Sequence, residues 1–139
     1  MDKIIEEKRA FYQSLGSVFC PILNETVYFT SDGFQHLLYK SNRKPRKLSE
    51  RYMKLMSLDH AKAVIVTCQL VAESRIIQRK VKGRFRDVVR HALVNEVQKG
   101  IQIRVVVEKI GTGKLHFLSV MPHTKRSKPK PKKHLRRRL

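Results

Sequence analysis

Ile4, Ile5, Lys8, Phe11, Tyr12 and Leu15 share one helical face, and Gly16 stands where a helix would stop, so residues 3–15 read as an amphipathic helix that should dock on the body. After a Cys20-Pro21 turn, Val27-Tyr28-Phe29-Thr30 is a short β-favouring run. Ser31 or Asp32 can then cap a helix carrying Phe34, His36, Leu37 and Leu38. Residues 40–47 form a charged loop with nothing apolar to bury. Ser49-Glu50 opens a second helical stretch, and a third is expected from about Leu58 through Ala61, Val64, Ile65, Cys68 and Val71.

Past Lys82-Gly83 the period turns strand-like. Residues 88–97, 101–110 and 115–121 are three β-rich runs, joined by a loop at Lys99-Gly100 and a tight turn at Gly111-Thr112-Gly113-Lys114. Short connections make them an antiparallel meander. If Ile110 faces Leu115, then Ile103, Val105, Val107, Leu118 and Val120 line the core face, while Arg104, Val106, Glu108, Phe117 and Ser119 line the other. The register of the 88–97 strand stays open, because turns of two or three residues at Lys99-Gly100 fit equally well. The expected fold is α+β, with N-terminal helices packed on one face of a C-terminal antiparallel β-meander and the opposite face left for a ligand.

Charge points to what that ligand is. The 31 Lys and Arg against 11 Asp and Glu give a formal net charge of +20 on 139 residues, self-repulsion that a polyanion would relieve. Nine of those cations, and no acid, fall in residues 125–139, which leaves +11 on the first 124 residues. Residues 125–139 have the composition of a disordered basic tail, with Lys125, Arg126, Lys128, Lys130, Lys132, Lys133, Arg136, Arg137 and Arg138 as sequence-blind phosphate contacts. A membrane surface is disfavoured, since the tail offers only Leu135 and Leu139 for insertion and no lipidation motif. No secretory signal or spanning run is evident, and Cys20 and Cys68 read as two buried thiols in a reducing cytoplasm. The expected partner is a nucleic acid, RNA first.

Candidate chemistry is of one kind. Gly111-Thr112-Gly113-Lys114 lacks phosphate-loop spacing and reads as a hairpin turn, and the six His and two Cys show no metal-ligand spacing, so no metal or other cofactor is expected. RNA carries its own nucleophile in the 2′-hydroxyl, so it can be cut with a base, an acid and cations to hold the phosphorane. His36 is the leading candidate for proton transfer, a core-edge histidine being the equal alternative. Lys40, Arg43, Arg46, Lys47 and Arg51 crowd the following loop as a candidate phosphate clamp, though each alone reads as a solvated charge. Arg104 interrupts an apolar strand and must face solvent or a ligand. Ser119 falls across from Val106 on the same face. His116 falls on the opposite face, where it could pair with Lys109, but a one-residue slip would bring it to the ligand side.

The stretch Val27-Tyr28-Phe29-Thr30-Ser31-Asp32-Gly33-Phe34-Gln35-His36-Leu37-Leu38-Tyr39-Lys40, the basic loop, Arg51 with the helix over 55–58, Ile103-Arg104-Val105-Val106-Val107 and Gly113-Lys114-Leu115-His116-Phe117-Leu118-Ser119-Val120 together resemble the phage-associated branch of the Barnase/EndoU/colicin/RelE nuclease superfamily. The resemblance covers about residues 26–121. It implies helices followed by an antiparallel sheet, a metal-independent ribonuclease of toxin or mobile-element type, and a shared site of His36, the 43–51 cluster, Arg104, His116 and Ser119. It also implies a division into a helix and linker over 1–25, a nuclease domain over 26–124 and the tail. The first expectation is thus an endoribonuclease, with the ribosome or a cognate antitoxin or immunity protein as further candidate partners. The second is a non-catalytic RNA- or ribosome-binding protein, favoured by the tail and by sparse aromatics for base stacking. A third role, docking of a partner by the 3–15 helix, competes with its packing on the chain's own sheet.

Overall fold

The computed structural model describes residues 1–123; the tail cations lie outside the described residues. The fold is α+β, with helices and a six-stranded, mostly antiparallel sheet of order β1-β2-β6-β5-β4-β3. Helix α1 (Asp2–Leu15) ends at Gly16, whose φ of 59° favours glycine. The hairpin β1 (Ser17–Cys20) and β2 (Glu25–Tyr28) leads into α2 (Ser31–Leu38), which follows Thr30 in the cap position without a side-chain cap hydrogen bond. Helix α3 (Leu48–Ser57), a single 3-10 turn (Leu58–His60) and α4 (Ala61–Thr67) precede β3 (Val71–Val81), β4 (Arg84–Gln98), β5 (Ile101–Ile110) and β6 (Leu115–Pro122).

Two elements differ from the expectation. The third helical stretch stops at Thr67, and residues 71–81 form a strand. Lys82-Gly83 joins that strand to β4 with positive φ at both residues, 51° and 80°, the geometry of a two-residue hairpin turn whose twist matches its strands. No residue of β3 is fully buried, and Arg79 shares the half-buried side with Ile77 and Val81, so no apolar alternation marks the strand. The second difference is the strand β1, which replaces part of the expected linker and pairs Val18 with Val27.

The core lies between the helices and one sheet face. Leu93, Ile103, Val105, Val107, Leu115, Phe117 and Val120 from the sheet meet Leu37, Leu55, Leu58, Val64 and Ile65 from the helices. Tyr12 of α1 is 2% exposed and packs edge-on against Phe29 and Phe117, so α1 belongs to this core. Cys20 and Cys68 are buried free thiols. No helix among the described residues is long and apolar enough to cross a membrane.

Register on the outer face decides the site. Gln98 pairs with Ile101, a register shift follows between Gln98 and Glu96, and from Glu96–Gln102 onward the pairing places Ala92 beside Val106 and Arg90 beside Glu108. Between β5 and β6, Val106 pairs with Ser119 as the alternation predicts, but Val107 pairs with Phe117, leaving Leu118 as a bulge. Toward the turn the register is therefore one residue off the Ile110–Leu115 expectation. Phe117 enters the core, Leu118 leaves it, and His116 moves to the outer face opposite Glu108. β2 pairs with β6 only through Val27–Leu115 and Tyr28–His116, and α2 and α3 cover the rest of that strand.

Gly33 lets α2 come this close. A Cβ there would stand 2.7 Å from the Phe117 carbonyl oxygen, which is backbone and cannot swing away. Gly33→Ala is expected to lower stability by about 1–3 kcal/mol through overpacking, measured by urea denaturation at unchanged m-value.

A cleft between helix α2 and the outer sheet face

α2 stands at the side of the sheet, and the space between it and the outer face is a cleft of about 600 Å³. His36, Tyr39, Lys40 and Arg43 line one wall; Arg79, Glu108 and His116 line the other. The two histidines named from sequence thus meet in one cavity, His116 through the one-residue slip that the bulge supplies. It faces Glu108, not Lys109, whose ammonium pairs with Glu25.

Glu108 is the organising charge. It is 2% exposed near the end of β5, and its oxygens accept hydrogen bonds from Arg79 at 3.0 Å and Arg90 at 2.6 Å. His116 Nε2 lies 3.7 Å from it, within ion-pair reach but longer than a hydrogen bond. Burial works to raise the carboxyl pKa, but His116 and the two guanidiniums override it and hold Glu108 well below the carboxylate range. His36 is half-buried. Burial lowers its pKa from the ordinary 6.5, and Arg46 and Arg79 add to that while Glu108 and Asp32 oppose it. Its ring is neutral at pH 7.

The other candidates divide. Arg46 donates from Nε to the His36 backbone carbonyl at 2.9 Å and pairs with Glu50 at 3.0 Å, so it braces α2 against α3 outside the cleft. Arg51 donates to the Leu38 carbonyl at 3.3 Å and lies over the Tyr39 ring, while Lys47 is exposed at the cap of α3. Of the expected clamp, Lys40 and Arg43 line the cleft.

Arg104 and Ser119 share a second, neighbouring hollow of about 270 Å³, lined also by Glu73, Arg75, Arg90, Ala92, Val106, Leu118 and Met121. Arg104 pairs there with Glu73 at 2.7 Å. Leu118 touches both hollows, and Arg90 lines the second while bonding Glu108 in the first. Ser119 accepts a hydrogen bond at 3.1 Å from Lys54, a buried lysine of α3. Burial first, then the Arg46 charge, pushes that ammonium down to about 8 against the opposing Glu50.

Sequence reasoning gave no role to Arg79, Arg90, Glu108 or Lys54. Arg79 lies on β3, where no strand was expected, and Arg90 lies on a strand that was expected but whose register was open. Glu108 carried the same signal as Arg104, a charge two pleats along the same apolar strand. Among the described residues no group of three or more His, Cys, Asp or Glu is placed to hold a metal ion. Comparison with family models, curated proteins and solved structures gave no match.

Proposed function

We propose that the protein is an endoribonuclease that cleaves RNA through attack of the 2′-hydroxyl, without a metal ion, on a fold of Barnase/EndoU/colicin/RelE type. One observation carries the reading: His36 of α2 and His116 of β6 line a single cleft together with Lys40, Arg43 and Arg79. His36, neutral at pH 7, takes the 2′-hydroxyl proton. His116, set by Glu108, gives a proton to the leaving 5′-oxygen, and the cations hold the charge of the crowded phosphorus.

Incubation with single-stranded and structured RNA in EDTA is the test. The wild type is expected to cut, and His36→Ala to lose about 100-fold or more in rate, the usual contribution of a positioned base. The acidic limb of the rate profile should lie below pH 6.5, the direction of the His36 shift, and vanish in His36→Ala. RNA left intact by the wild type removes the proposal. Tight, salt-sensitive binding of uncut RNA would instead support the reading as a basic RNA- or ribosome-binding protein, which the +20 charge favours independently of any cleft.

A further inference from the structure

Lys54 is 5% exposed, and its ammonium meets one acceptor among the described side chains, the Ser119 hydroxyl. Charge is seldom placed in such a position for stability, because the lost hydration far exceeds one neutral hydrogen bond. Its geometric effect is definite. A charged ammonium has only donors, so Ser119 Oγ must accept from it, and the hydroxyl hydrogen is left to donate elsewhere. Ser119 opens on the second hollow, where Arg75 and Arg104 are held by one exposed carboxylate, Glu73. Ala92, Val106, Leu118 and Met121 give the same hollow an apolar lining.

We propose that this hollow seats the nucleotide adjoining the cleavage point, with its phosphate on Ser119, Arg104 and Arg75 in place of Glu73 and its base against the apolar lining. The proposal rests on the ribonuclease reading, which makes the neighbouring cleft the cleavage point. A strand that lies in the cleft passes Leu118 and reaches the second hollow, and Arg90 borders both. Glu73 covers the cations when no strand is bound; as a surface carboxylate it exchanges readily for a phosphate, which accepts from the same forks. Lys54 is a positioning residue: it touches Ser119, not the strand.

Binding of a ladder of 2′-O-methyl oligoadenylates, two to four nucleotides long and immune to 2′-hydroxyl attack, tests the subsite by fluorescence anisotropy. Affinity is expected to step up about tenfold at the length that first fills the second hollow. Ser119→Ala and Lys54→Met should shrink that step to about twofold, and Ser119→Thr should restore it. In the wild type the step should fade as pH rises from about 7 to about 9, because a neutral lysine no longer forces Ser119 to donate outward; in Lys54→Met it should be flat. The charges that face the lysine are Arg46 and Glu50, and those of the hollow are Glu73, Arg75, Arg90 and Arg104. An equal step in wild type and variants, or a step that ignores pH in both, overturns the proposal. Failure of the ribonuclease reading shows separately, as unmodified RNA left uncut while the ladder still steps.

Discussion

Glu108→Gln is expected to cost about 3 kcal/mol of stability. The carboxylate is 2% exposed and serves two guanidiniums and His116 together. Removing one member of a buried ion pair costs about 3–5 kcal/mol, because the charge left behind has no partner. Here Arg79 and Arg90 are 40% and 31% exposed and recover some water, which sets the lower end of that range. Urea denaturation of the wild type and variant measures it. The pH dependence has a fixed sign: a carboxyl held below its ordinary 4.5 contributes its full stability above that pH and loses it as pH falls below. The stability difference should therefore be constant near neutrality and narrow on acidification below about pH 4.5. A difference that persists undiminished in acid would assign the loss to packing.

Lys54→Met is expected to do the reverse, stabilising the protein at pH 7 by about 3 kcal/mol, the linkage value of a lysine pushed from 10.5 to about 8. A lysine with a depressed folded pKa is destabilising while charged. Because the unfolded chain then binds more protons than the folded one, wild-type stability rises between pH 8 and 10.5 relative to the variant. The advantage of methionine should accordingly be present below pH 8 and disappear by about pH 10.5, followed as paired denaturation curves. A stabilising substitution that weakens ligand binding marks a residue kept for function. No stabilisation at pH 7 would mean that the ammonium is solvated after all.

How legible all this was depended on whether one face of an element is buried. The helices around Tyr12, Leu37 and Leu55 and the strands carrying Val105 and Val120 have a dry side, and their periodicity shows it. β3 has no fully buried residue: Ile76 in mid-strand is 70% exposed, and Arg, Gln and Lys are spread over the two faces, so nothing in the pattern separated it from a helix. The bulge at Leu118 was invisible for another reason. Alternation reports a face, not an inserted residue, and one residue was enough to carry His116 across the sheet. Arg104 and Ser119 were placed on the correct face, but pairing of Arg104 with Glu73 depends on β3 and could not be read without it. Lys54 looked like any polar position on an amphipathic helix; its burial comes from α3 lying along β6, a tertiary fact.

The two histidines of the cleft come from α2 and from β6, with α3, α4 and the strands β3, β4 and β5 between them in the chain. A nascent polypeptide therefore holds no assembled cleft until β6 has emerged and folded back beside α2. If cutting RNA is its work, the message being translated is spared by chain order alone until synthesis of the domain is nearly finished.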